Sequence, residues 1–135
     1  MAIISPSAVN TTLVQDGQTN AISAAAMRTV VASLSGLLAV VKTSSYVLTP
    51  TDFGLMFEMT LSSAGSITVP LNATVPFDIG AVMGMCWSGT VQPSLIAASG
   101  VTFRPSAPMT PRAAWSEIYW RKRGTNEWVI SGDYT

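Results

Sequence analysis

The chain is 135 residues long, the size of one ordinary domain with an arm; at 10% charged against 48% hydrophobic it has few groups to cover itself in water, and some apolar surface is expected to meet protein. Seven basic and seven acidic residues cancel, which excludes the electrostatic footprint of a nucleic-acid binder or of a polybasic membrane anchor. With no histidine and a single cysteine, Cys86, the composition also excludes an intrachain disulfide, a Ser-His-Asp or Cys-His triad and a histidine-based zinc site.

Residues 1–20 lack sustained periodicity and are rich in Ser, Thr, Asn and Gln, with Ile3, Ile4, Val9, Leu13 and Val14 as apolar anchors. They read as an extended arm that docks on another subunit or on the domain body, since alone it buries too little surface to offset the entropy of ordering it; a frayed terminus is the plain alternative. From Ala21 helix formers predominate, and Met27, Val30, Val31, Leu34, Leu37, Leu38 and Val41 recur at three- and four-residue steps, which predicts an amphipathic α-helix. Asn20 or Ser23 can cap it, and Gly36 weakens its middle, so that the helix bends or ends there. Small residues such as Ala24, Ala25, Ala32 and Ser33 leave room for close packing against the chain's own domain or a neighbouring subunit. Arg28 and four Ser/Thr positions interrupt the run, which falls short of the roughly 20 apolar residues of a spanning helix. No basic side chain precedes Arg28, so a secretory signal is not expected either. Residues 1–43 are thus read as an attachment and oligomerisation segment, and 44–135 as a β-module.

Beyond Thr43 short β-rich runs alternate with turn residues, the spacing of a sandwich or barrel. Strands are predicted over residues 45–48, 55–60, 66–69, 81–87, 94–97, 101–104, 115–121 and 127–132. The fold class expected is mainly β: an antiparallel β-sandwich, jelly-roll-like, preceded by the arm and a short helix. Pro70, Pro76, Pro105, Pro108 and Pro111 fall in the connections, where a missing N–H costs least. Leu55, Phe57 and Met59 share one side of their strand, with Met56 and Glu58 on the other. The run from Val82 to Trp87 is apolar on both faces and reads as the central strand or a subunit contact. The last two strands resemble a hairpin turning at Gly124-Thr125-Asn126. Arg121-Lys122-Arg123, the one basic cluster, reads as a solvated strand end and turn.

An ordered set of motifs then carries a resemblance. Tyr46-Val47-Leu48, Asp52-x-Gly54, Glu58-Met59, Ile67-Thr68-Val69-Pro70-x-Asn72, Phe77-x-Ile79-Gly80, Ile96-Ala97-Ala98-x-Gly100-Val101-Thr102 and Glu127-Trp128-Val129-x-x-Gly132-Asp133 follow one another along about two-thirds of the chain. Together they resemble a β-module of tailed-bacteriophage virion proteins, found in head-fibre and tail-fibre ends and in decoration or cement proteins. The stretch from Asp16 to Val31 is similar to a segment near the starts of such proteins, where a helix joins the module to the particle. Between Pro105 and Pro111 three prolines replace the usual Gly-containing loop, so loop recognition does not carry over.

The resemblance implies a virion structural protein made in the host cytoplasm, not an enzyme, with no cofactor and no metal. Its partners would be the major capsid protein or other virion proteins and further copies of itself, as a trimer or dimer, with neither nucleic acid nor membrane. The interface residues expected are Ile3, Ile4, Val9, Leu13, Met27, Val30, Leu34, Leu37, Met83 and Met85. A small tail-fibre, knob or adaptor protein touching a host receptor or glycan is the alternative. Each recurring residue also has a structural reason: Asp52-x-Gly54, Gly80 and Gly100 fit turns, and Trp128 can anchor the last hairpin. Asp52 with Glu58, or Glu117 with Glu127, would be the carboxylate pairs of a glycosidase, but a domain this small has little surface for the cleft they need. Trp87, Trp115, Tyr119, Trp120 and Tyr134 could form a sugar platform, against a plainer reading as core and interface filling.

Overall fold

In the computed structural model, which describes residues 37–106 and 109–135, the chain forms β1 (Leu38–Lys42), β2 (Tyr46–Val47), β3 (Leu55–Met59), β4 (Ser66–Val69), β5 (Val82–Trp87), β6 (Ser94–Ala97), β7 (Thr102–Arg104), β8 (Glu117–Gly124) and β9 (Glu127–Gly132). A six-stranded sheet runs in the order β1-β3-β5-β8-β9-β7, and a three-stranded sheet in the order β2-β4-β6. The first six strands fall alternately into the large and the small sheet. The chain therefore winds like a short solenoid whose rungs are β1–β2, β3–β4 and β5–β6.

Neighbouring rungs pair parallel and in register. Val40 lies beside Phe57 and Phe57 beside Met85 in the large sheet, while Tyr46, Ile67 and Leu95 form the matching ladder in the small one. Parallel neighbours need a crossover between them, and here the opposite sheet's strand supplies it where other folds use a helix. The winding then closes: β8 returns antiparallel to β5, a hairpin turning at Thr125 and Asn126 leads into β9, and β7 adds parallel to β9 at the far edge. A bulge between Lys122 and Gly124 accommodates the turn.

The core lies between the sheets. The large sheet contributes Phe57, Met59, Met83, Met85, Ile118, Trp120, Trp128 and Ile130, and the small sheet Ile67, Val69 and Leu95, all buried. Phe57 stacks on Trp120 at 6.3 Å, and Phe77 meets Trp128 edge-on at 5.7 Å, geometries that add to simple burial. The indole N–H of Trp120 has no hydrogen-bond partner among the described residues.

The β-rich class holds, and the strands at 66–69, 94–97 and 127–132 have the expected bounds. The antiparallel jelly roll does not describe the pairing, because β1–β3, β3–β5, β2–β4, β4–β6 and β7–β9 are all parallel. Alternation reports which side of a strand is buried, not the direction of its neighbour, and solenoid corners recur at the same spacing as hairpin turns. A second correction concerns Leu38 to Lys42, expected at the end of a helix and found as β1. Their backbone pairs with β3, starting from the Leu38 N–H to Gly54 carbonyl bond of 3.1 Å, and this tertiary pairing overrides a three-four apolar spacing. The rest of the predicted helix, residues 21–36, and the arm lie outside the described residues. Trp115, expected in a strand, sits in the turn before β8.

Candidate interaction surface

The rung corners are built by short polar side chains. Asp52 is buried at the corner of the first rung: one carboxylate oxygen accepts the Thr49 N–H at 2.6 Å and the Thr49 hydroxyl at 3.0 Å, and the other accepts the Tyr46 hydroxyl at 3.3 Å. The Lys42 ammonium lies 3.5 Å over the Tyr46 ring, tying β1 to β2. Gly54, Gly80 and Gly100 take positive φ (76°, 96° and 89°), as turn corners require.

These corners hold an apolar strip at one end of the large sheet. The Leu38 N–H reaches the Gly54 carbonyl, and the Gly54 N–H reaches the Val82 carbonyl at 2.8 Å, which sets the starts of β1, β3 and β5 side by side. Leu38, Phe53, Ile79 and Val82 are exposed there, Phe53 at 61% and Ile79 at 70%. A cleft of about 150 Å³ opens beside them, lined by Pro50, Phe53, Pro76, Phe77, Asp78 and Ala81. Among the described residues β1 and β2 stand at free sheet edges, whose unpaired N–H and C=O groups invite another chain. Val47, Thr68 and Ile96 form a half-apolar ladder on the outer face of the small sheet, with Val47 and Ile96 exposed.

Of the interface residues expected from sequence, Ile3, Ile4, Val9, Leu13, Met27, Val30 and Leu34 lie outside the described residues. Leu37 is half-buried beside β1. Met83 and Met85 are fully buried: β5 is indeed a central strand, and both side chains point into the chain's own core, so neither is available to a partner. Phe53 and Ile79 take their place on the surface. They were legible as turn-flanking apolar residues, but nothing in the alternation says that a loop side chain stays outside.

Several of the remaining chemistry-bearing groups are tied to internal partners. Asp52 and Glu58 do not share a cleft: Asp52 holds its corner, whereas Glu58 lies mid-sheet beside Cys86, which in turn neighbours Glu117. Burial, then the charges of Glu58 and Glu117, push the Cys86 thiol up to about 11. The Tyr119 hydroxyl donates to Glu117, and that bond is the main reason the phenol is pushed up to about 12. Glu127 accepts from Arg104 and from Arg123, each at 2.9 Å, and the Arg104 bond chiefly holds its carboxyl below the usual range. Arg112 pairs with Asp133 at 2.8 Å.

Of the five aromatic residues considered as a platform, Trp120 is core and Trp115 is 73% exposed, held at φ 71° by a 2.7 Å bond from its N–H to the Trp87 carbonyl. Lys122 is not solvated as its basic cluster predicts. It shares the inward face of β8 with Ile118 and Trp120, is 2% exposed, and donates to the Asn72 side-chain oxygen and the Phe77 carbonyl.

Among the described residues no group of three or more His, Cys, Asp or Glu side chains could hold a metal ion, and no helix is long and apolar enough to cross a membrane. No protein-family model matches the chain, and no curated protein is significantly similar to it.

Proposed function

We propose that the chain is a structural protein of a bacteriophage virion, a capsid decoration or cement protein of head-fibre type that binds the assembled head as an oligomer. The observation that carries this reading is the apolar strip of Leu38, Phe53, Ile79 and Val82 beside β1, an edge strand among the described residues. The ordered motifs between Tyr46 and Asp133 supply the virion context. Association by burial is what such a surface does: exposed apolar area at roughly 25 cal/mol per Å² is a driving force, and a standard interface removes about 1,600 Å² from water. Repeated over a shell, modest contacts add up through multivalency. The partners are the major capsid protein or other virion proteins and further copies of this chain, and the site of action is the virion after synthesis in the host cytoplasm.

The test is occupancy on purified particles. Phe53→Asp combined with Ile79→Asp changes exposed side chains only, so the purified protein should keep its circular dichroism and melting temperature while occupancy collapses. Deletion of residues 2–20 should weaken particle binding in the same way. Full occupancy by both variants would refute the proposal.

A second reading, a small tail-fibre or knob protein that contacts a host glycan, is favoured by Trp115, an exposed indole in a left-handed turn beside the exposed Arg112. Few copies per particle, together with glycan binding that Trp115→Ala abolishes, would select it over the capsid reading.

A further inference from the structure

Lys122 is a buried ionisable group that the surface reading leaves unused. Its neighbours are specific. Trp128 lies directly across the β8–β9 ladder from it, Phe77 packs edge-on against Trp128, and both aromatic side chains are buried. The amine donates to two groups from the segment between β4 and β5: the carboxamide oxygen of Asn72 and the main-chain carbonyl of Phe77. Asn72 is itself fixed, because its N–H donates to the Asn126 side-chain oxygen at 2.8 Å in the hairpin turn. No carboxylate of the described residues forms a salt bridge with Lys122.

We infer that Lys122 and Asn72 form a side-chain isopeptide bond, made by the folded chain itself. The carboxamide carbon is bonded directly to the oxygen that the amine touches, so the amine and the carbon it attacks are neighbours in the fold. Burial penalises the ammonium and favours the neutral amine, against the opposing pull of the Asp78 charge. The neutral amine is the nucleophilic form. In the step, the bond from Nζ to Cγ of Asn72 forms and the bond from Cγ to Nδ2 breaks. One proton passes from Nζ to Nδ2 and ammonia leaves past the half-exposed Asn72; no oxidant or cofactor enters the balance.

The product closes a ring from Asn72 to Lys122, stapling the segment between the second and third rungs to the returning strand β8. The inference is independent of what the body binds. Its test is the intact mass of the full-length chain followed by a tryptic map. The expected mass is lower than the sequence mass by one ammonia, cleavage after Lys122 is lost, and a branched peptide joins the Asn72 and Lys122 segments. Asn72→Ala and Lys122→Arg should each return to their own sequence mass. A wild-type chain that keeps the full sequence mass after prolonged incubation overturns the inference. So does a chain that has lost ammonia yet is still cleaved after Lys122, since that product is a succinimide.

Discussion

Replacing Gly89 with alanine should be among the most damaging single-methyl changes in this protein. The turn containing Gly89 lies flat against the backbone of the preceding rung: the Ser88 and Gly89 N–H groups both reach the Met59 carbonyl, at 3.2 and 2.9 Å, and those of Thr90 and Val91 reach the Leu61 carbonyl at 3.1 and 3.2 Å. A Cβ at Gly89 would sit 2.3 Å from the Leu61 nitrogen and 2.6 Å from the Thr60 carbonyl carbon, where ordinary contact begins at 3.4 Å. The two segments must part by about 1 Å, which takes all four hydrogen bonds beyond their working length. At about 1 kcal/mol each, the loss is roughly 3–5 kcal/mol, a large share of a typical 5–15 kcal/mol. Urea denaturation of purified protein measures it, with a midpoint drop of about 2 M for a slope near 2 kcal/mol per M. Gly54→Ala is the internal control, because Gly54 has φ +76° but open space around it, so only the left-handed backbone is penalised, at about 1–2 kcal/mol. The reasoning fails if Gly89→Ala costs less than Gly54→Ala.

Asp52→Ala should cost about 2–3 kcal/mol, because it strands the Thr49 N–H and removes the acceptor for two hydroxyls, whereas Asp52→Asn should cost less; thermal melts in which both variants match wild type would contradict the corner's role. Trp115→Gly should stabilise the chain by about 1 kcal/mol, since relief of a left-handed backbone outweighs the added freedom of the unfolded glycine; a lowered melting temperature would mean that the indole packs more than its exposure implies. Cys86 and Tyr119 both have folded pKa values raised above their ordinary 9.0 and 10.0. A raised acid stabilises the fold while it stays protonated, so stability should be full below about pH 9 and fall as pH climbs through about 11 and 12. Denaturation midpoints across that range check the slope, which Cys86→Ala should flatten in part. Burial and the raised pKa both keep the Cys86 thiol protonated near neutral pH, so thiol reagents should label the native protein far more slowly than the unfolded one.

Burial was legible in this sequence where strands are half-buried, and direction was not. Leu55, Phe57 and Met59 announce their side of β3, and the apolar run from Val82 to Trp87 announces a central strand, because those patterns depend only on the pleat. Whether β5 lies parallel or antiparallel to β3 depends on where the chain travels in between, and residues 60–81 carry no signal that distinguishes a crossover through a second sheet from a hairpin. Leu38 and Val41 fit a helical spacing as well as a strand, and only the partner β3 decides between them. By its charge Lys122 reads as surface, and only its position in the strand says otherwise. Its parity with Ile118 and Trp120 points inward, and that parity was available in the sequence. The same alternation places Met83 and Met85 inside, so an apolar strand in the middle of a sheet was a poor source of interface residues. Phe53 and Ile79 belong to corners, where period-two logic has nothing to say.

The two later rungs repeat with a common step: Met56 pairs with Gly84 in the large sheet, and Ser66 with Ser94 in the small one, the same offset in chain numbering. Matched offsets make that part of the body modular along its winding axis. A duplicated copy of the segment from Leu55 to Val82, one full step long, could be spliced in ahead of Met83 while every ladder above and below kept its partners. A single inserted residue within β5 would slip its ladders with β3 and β8. Strand pairing in this body is extended in whole turns, while differences in length fall in the corners.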